Sequence, residues 1–220
     1  MSRCLTGIAV RYDGRHKSQD WLDALAQHVS FVDLCPEVDA GHPVPRPPID
    51  VYLTPSGTME LRESLDGIDK SSAIRSLSLK WKGHLSRTPV DGVVLKAHSP
   101  SCAIDNAVYF DAESGRSSGR GPGMFAKTIL SAHPSLPRAD EQQLQTAEHR
   151  MRFKAEVLVH NRLRRNQLAA GDCLPLRRLV EGICPEGDPL ELVDYTNIKA
   201  AVGRLSRAEL STVNVWPDGP

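Results

Sequence analysis

The chain has 220 residues, its 27 Lys plus Arg balance 27 Asp plus Glu, and 40% of its residues are hydrophobic. That size sustains one generous domain, or one domain plus a helical appendage, and buries about 70% of the unfolded surface without disulfide staples. The neutral balance argues against a dominant phosphate-binding face, and no apolar run approaches the roughly 20 residues of a membrane span.

Only Met1, Ser2 and Arg3 precede Cys4, so no leader peptide is expected. The five cysteines are odd in number and are not spaced like those of a secreted scaffold. A reducing cytoplasm is the expected compartment.

Residues 17 to 30 are predicted to form a helix, from the recurrence of Trp21, Leu22, Leu25 and Val29. Ser30 to Leu34 is short and β-leaning and delivers the chain to Cys35. Gly41 to Pro48 holds four prolines and is expected as a rigid extended loop. Ile49 to Leu53 alternates like a strand, and Pro55 to Asp69 suits a loop or hairpin. Ser71 to Leu85 is predicted as a helix with Ile74, Leu77, Leu79, Trp81 and Leu85 on its apolar side.

Gly92 to Lys96 is a buried-strand signal that runs into a Ser-Pro-Ser-Cys loop. Val108 to Asp111 is a second short strand, residues 114 to 123 are a Gly- and Ser-rich loop, and Met124 to His133 is a helix. The order helix, strand, cysteine loop then suits an α/β layer with ligands at strand ends. Residues 139 to 169 are almost unbroken helix former, with Asp140 and Glu141 expected in the first turn and Arg162, Arg164 and Arg165 near the end. Beyond Gly171 come Pro175, Pro185 and Pro189, then an amphipathic segment from Ala200 to Leu210.

Three cysteines sit inside distinctive phrases. Cys4 opens Cys-Leu-Thr-Gly with Val10-Arg11-Tyr12-Asp13-Gly14 close behind. Cys35 opens Cys-Pro-Glu-Val, followed by Gly41 and Pro43-Val44-Pro45-Arg46-Pro47-Pro48. Cys102 closes Lys96-x-x-Ser99-Pro100-Ser101-Cys102. Structural zinc needs close cysteine pairs, which these are not. A lone free cysteine is more often a small buried hydrophobe than a ligand. Three thiolates on three loops instead suit an iron–sulfur cluster with one iron lacking a protein ligand. Cys173 and Cys184 lie outside the phrases, and Cys184-Pro185-Glu186 repeats only a fragment of one.

These phrases, over roughly residues 3 to 130, resemble the DUF523 family, which includes the 2-thiouracil desulfurases, or TudS-like desulfidases. The resemblance implies a [4Fe-4S] cluster held by Cys4, Cys35 and Cys102. It implies that the open iron takes sulfur from a thiocarbonyl nucleobase and that the sulfur leaves as sulfide. Some members act on free thiouracil, and others with a C-terminal extension act on thiouridine in RNA. Residues 124 to 170 resemble the segment that links this family's core to a DUF1722 domain, of which a complete copy does not fit. The expected architecture is a small, open, mostly parallel α/β sheet with flanking helices over residues 1–135. A helical C-terminal extension follows over residues 136–220, linker-like and an incomplete DUF1722 type.

Glu37, two residues after Cys35, is expected beside the metal and moving protons, the alternatives being that it caps a helix or pairs with Arg46; Arg46 is expected to pair with Glu37 or Asp13. Ser99 is expected to orient a water or to hydrogen-bond the base, and Ser101 to turn the loop or to donate to a cluster sulfur; a plain Ser-Pro-Ser turn is the alternative. Asp13 and Gly14 suit a tight turn. Asp13, Lys17, Arg46 and Ser101 are expected to bind substrate, while Arg11 and Lys17 offset cluster charge or lie solvated. Lys96 is expected to point toward the site, and His98 to lie on the surface.

Two features depart from the family pattern. Ala103 follows the third cysteine, where glycine is usual, which would be strained at a positive φ. Three residues precede Cys4, too few for the strand that normally leads into it. The expected function is sulfur removal from a thiolated pyrimidine, with 2-thiouracil or a related free base as partner and no membrane. A tRNA thiouridine desulfidase, with Arg150, Arg152, Arg162, Arg164 and Arg165 as an RNA stripe, is an alternative. So is a non-catalytic cluster-binding redox or sulfide sensor. A cysteine-nucleophile hydrolase lacks a visible His/Asp pattern.

Overall fold

The computed structural model describes residues 1–26, 29–165, 176, 178–180 and 195–213. Cys173 and Cys184 lie outside the described residues, as do parts of the helices expected over 17–30 and 139–169. The chain divides into two compact units. The first comprises Met1–Asp23, Phe31–Pro89 and Val94–Ala132, and the second Ala24–Ser30, Val90–Val93 and His133–Pro220.

In chain order, α1 spans Leu22–Ala26, α2 Pro36–Asp39, β1 Ile49–Leu53, β2 Met59–Glu63, α3 Ser71–Arg87, β3 Val93–Leu95, β4 Ala107–Asp111, β5 Ser117–Gly121 and α4 Met124–Ala132. They are followed by β6 Arg138–Asp140, α5 Ala147–Arg165, α6 Tyr195–Gly203 and α7 Arg207–Val213.

The first unit carries a four-stranded sheet in the order β2-β1-β4-β5. The α/β class stands, but the sheet is mixed rather than mostly parallel. β1 pairs with β4 in parallel, while β1–β2 and β4–β5 are antiparallel. The reason lies in the connections. Thr54 to Thr58 closes a tight turn through Gly57, whose φ is 76°, and so forces a hairpin. Residues 112–116 close a second hairpin onto β5, a strand that forms within the Gly- and Ser-rich stretch 114–123 expected as loop. Parallel pairing survives where a long crossover through α3 separates β1 from β4.

Alternation along β1 and β2 buries Ile49, Val51, Met59 and Leu61 against Ile74, Ala103, Ala107 and Met124. Burying such side chains is worth roughly 1.5–3 kcal/mol each. Leu79 was expected on the apolar side of α3 but is exposed.

The expected lack of a strand before Cys4 is answered locally. Ser2 forms a parallel bridge with Leu34, its N–H donates to Val94 O at 2.9 Å, and Arg3 N–H donates to Leu34 O at 2.8 Å.

The second unit packs α5, α6 and α7 around Leu158, Val159, Ile198, Val202, Leu210 and Val213. Asp140 and Glu141 do not begin the long helix. Asp140 ends β6 and accepts the N–H groups of Gln142 and Gln143, an Asx turn, and Thr146 caps α5 through His149 N–H. The amphipathic segment 200–210 is divided between two helices, because Ser206 and Glu209 form a capping box that starts α7. No described helix is long and apolar enough to cross a membrane.

Candidate functional site

The three phrase cysteines line one cavity of about 430 Å³ in the first unit, and each comes from a different backbone device. Cys4 sits in a 3-10 turn, Arg3–Thr6, that ends on Gly7 at φ 90°, a conformation that glycine tolerates. Cys4 O accepts Lys17 N–H at 2.7 Å, which draws the following loop back over the turn. Cys35 is the N-cap of the short α2, with Pro36 at the first helical position.

Cys102 lies in a loop clamped on the start of α4. Pro100 O accepts Met124 N–H, and Ser101 O accepts the N–H groups of Phe125 and Ala126, at 3.0–3.1 Å. These bonds satisfy amides that a helix start leaves without partners. Gly123 makes the clamp possible, because a Cβ there would stand 2.5 Å from the Ser101 carbonyl carbon. Ala103 does not need a positive φ; it is fully buried, and its N–H bonds Ser99 O at 3.0 Å. The expected strain is absent.

Burial pushes the Cys102 thiol well above the ordinary cysteine range; the Ser2 hydroxyl bonded to it opposes this, and Cys35, Cys4 and Glu37 add to it. Burial also raises Cys35, against the backbone N–H groups of Val38 and Glu37 that bond its sulfur. The thiols are therefore near enough to repel as anions and need positive charge among them to ionise together. Among the described residues no three His, Cys, Asp or Glu converge where one metal ion could be held. A cluster makes a different demand, since its thiolates bind separate irons. An all-thiol donor set around one cavity fits that demand.

Glu37 is anchored from two sides. Its Oε2 accepts Arg46 Nε–H at 2.8 Å and Nη2–H at 2.6 Å, and its Oε1 accepts the Ser101 hydroxyl at 3.0 Å. Arg46 Nη1–H also donates to Val10 O and Pro43 O, and Arg46 N–H to Tyr12 O. Ser99 Oγ accepts the N–H groups of Cys102 and Ser101 at 3.1 and 3.3 Å, so it folds the cysteine loop.

Of the expected site residues, Cys4, Cys35, Cys102, Glu37, Ser99, Lys17 and Arg46 line the cavity, as do Lys96 and His98. Ser101 and Asp13 do not. Ser101 is fully buried beneath Glu37. Asp13 is exposed in its turn, where it pairs with Arg11 and caps Arg15 N–H. The expectation that these two touch substrate is corrected. His98 takes a positive φ of 59°, fixed by Asn106 Oδ1 on its N–H.

Sequence reasoning missed Ser2, Gly123, Tyr12 and Asp50. Gly123 carried a signal, the Gly-Pro-Gly string immediately before a predicted helix, and Tyr12 stood inside the Cys4 phrase.

The family described as 2-thiouracil desulfurase matches residues 1–141, which include every cavity residue. The chain belongs to the 2-thiouracil desulfurase family. Among solved structures it is similar to the [4Fe-4S]-dependent thiouracil desulfidase TudS (DUF523Vcz). The two are 30% identical with a TM-score of 0.51, over 65% of this chain and 89% of that one. It is also 27% identical, over 137 residues, to the uncharacterized protein YbbK of Bacillus subtilis (strain 168), spanning 60% of this chain and 89% of that protein. Both likenesses cover about the same share of the chain as the desulfurase family match.

Proposed function

We propose that this chain is a [4Fe-4S]-dependent desulfidase that replaces the sulfur of a thiolated pyrimidine, 2-thiouracil or a related free base, with oxygen from water. The observation that carries this reading is three cysteines from three loops lining one cavity with a doubly anchored carboxylate. Cys4, Cys35 and Cys102 would hold the cluster. When bound, it supplies a soft Lewis acid, an iron without a protein ligand, to a thiocarbonyl sulfur.

The chain's own residues handle the rest. Glu37 exchanges a proton at Oε1, because Oε2 already takes two N–H bonds from Arg46. Ser99 accepts backbone N–H groups and so keeps its own hydroxyl hydrogen to donate to a water or ring atom in the cavity. Lys17 and Lys96 place positive charge on the cavity wall, which offsets anionic thiolates, while the wall residues Arg3 and Arg11 are paired with Asp33, Asp39 and Asp13. Tyr12 and Asp50 add an aromatic face and an acceptor for a flat heterocycle. In balance, the thiocarbonyl carbon gains the water oxygen, and both water protons leave with the sulfur as hydrogen sulfide. A reducing compartment such as the cytoplasm suits such a site. Residues 136–220 are taken as an appended helical extension.

A free base is favoured over RNA, because three of the five arginines expected as an RNA stripe are engaged inside the second unit. Arg150 donates to Leu144 O and Gln145 O, Arg152 pairs with Glu148 and reaches Val202 O and Gly203 O, and Arg164 pairs with Asp91.

The test is reconstitution with iron and sulfide without oxygen, then sulfide release from 2-thiouracil, 4-thiouridine and a thiolated tRNA. The expected result is about four irons per chain and sulfide from the free base, with both lost in Cys102→Ala. A cluster-loaded but inert protein would move the reading to a redox or sulfide sensor, and release from tRNA alone would move it to RNA.

A further inference from the structure

The two serines of Ser99-Pro100-Ser101 are equivalent on paper and not in space. Ser99 lines the cavity and spends its acceptor capacity on the loop backbone. Ser101 is fully buried, is absent from the cavity wall, and directs its hydroxyl at Glu37 Oε1 over 3.0 Å. We propose that Ser101 is a positioning residue that holds the Glu37 carboxylate in its working orientation, a role that rests on the desulfidase reading above.

The argument is one of degrees of freedom. Arg46 binds only Oε2, through Nε–H at 2.8 Å and Nη2–H at 2.6 Å. A carboxylate held at one oxygen still pivots about that oxygen, so Arg46 alone does not fix where Oε1 stands. Ser101 removes the pivot by taking the other oxygen. Ser101 has little freedom of its own. Its carbonyl is bound by Phe125 and Ala126 N–H, and Gly123 packs against its backbone so closely that no side chain fits between. The placement of Oε1 is thereby referred to the start of α4 rather than to the mobile end of a side chain.

Because Ser101 is not on the cavity wall and reaches it only through Glu37, its loss should leave binding intact and disturb the chemical step. Misplacement of a reacting group by about 1 Å costs on the order of 100-fold in rate.

The experiment combines kinetics, cluster spectroscopy and crystallography on the reconstituted full chain carrying Ser101→Ala, with Ser101→Thr as the variant that keeps a hydroxyl. In Ser101→Ala we expect kcat to fall at least about tenfold while KM stays within about twofold. Iron per chain and the electron paramagnetic resonance spectrum should match the parent, and Ser101→Thr should recover most of the rate. The crystal structure of Ser101→Ala should show Glu37 in more than one orientation while Arg46 stays in place.

Loss of iron in proportion to activity would overturn the proposal, since Ser101 would then serve the cysteine loop rather than Glu37. So would unchanged kinetics, or a single unmoved Glu37 conformer. If the parent releases no sulfide although its cluster is complete, the desulfidase reading fails. The crystallographic arm still decides whether Ser101 orients Glu37.

Discussion

The two units bury their carboxylates in opposite ways. In the first, Glu37 is held by Arg46 and Ser101 on the wall of a cavity that also carries three thiols. In the second, Asp91 is held by Arg164 at 2.8 Å, Asn161 at 2.8 Å and His160 at 3.5 Å, and Glu156 by the Tyr195 hydroxyl at 2.8 Å. Burial and pairing are common to all three, so neither marks a functional site. What sets Glu37 apart is its company. Its oxygens stand beside soft ligands and an opening large enough for a small molecule, whereas the contacts of Asp91 and Glu156 tie segments of the helical unit together.

The comparison breaks most readily at Arg46. Removing one member of a buried ion pair strands the other and typically costs about 3–5 kcal/mol. Arg46 and Glu37 side chains are only 5% and 12% exposed, so Arg46→Ala should approach that figure in denaturant melts. It should also abolish sulfide release. A variant that melted like the parent would show that the pair is exchangeable with water.

Paired glycine substitutions give the next largest effect. In the first unit, Gly123→Ala drives a methyl into the Ser101 backbone, and overpacking of this kind costs about 1–3 kcal/mol. It should lower iron retention as well, because it displaces the loop that carries Cys102. In the helical unit, Gly203 ends α6 with nothing within 4 Å of a built Cβ. Gly203→Ala should be neutral or stabilising by up to about 1 kcal/mol, with iron content untouched. Equal losses from both would mean that the close approach at Gly123 is relaxed in solution.

The smallest effect separates the carboxylates by pH. Burial raises Asp91, but the nearby His160 ring and the hydrogen bonds from Arg164 and Asn161 outweigh it and hold the carboxyl well below its usual range. A depressed folded pKa contributes stability above the unfolded value, near 3.9 for Asp, and that stability is lost as pH falls through the folded value. Asp91→Asn should therefore cost about 1–2 kcal/mol near neutrality, with the gap closing below about pH 4. Glu156 has the opposite sign. Burial raises it, and Tyr195, Lys199 and Arg152 oppose that only in part. Its contribution is full below the unfolded value and declines as pH rises, so Glu156→Gln should do no harm at neutral pH. Melts of both variants at pH 3.5 and 7 check the pair of signs.

Much of the site was legible because it is written locally. Cys4, Cys35 and Cys102 announce themselves through their neighbours, and the Glu37–Arg46 pair is visible as an alternative once a carboxylate follows a cysteine and an arginine is wedged among prolines. What was not legible depends on pairings distant in sequence. Strand direction follows from which strand sits beside β1, and periodicity is the same for parallel and antiparallel neighbours. Ser2 bridges Leu34 and bonds Val94 O, pairings that no reading of three residues reveals. Asp13 and Ser101 each lie one residue from a cavity residue, and a turn or a buried loop reverses the direction of alternate side chains.

The graded exposure of the three sulfurs also has a practical use in chemical labelling. Cys35 is half-buried, whereas Cys4 and Cys102 are buried at 8% and 5% exposure. Among the described cysteines, a thiol reagent applied to the metal-free chain meets Cys35 first. Tagging read at the peptide that carries Cys35 then reports what fraction of a preparation has its cavity filled.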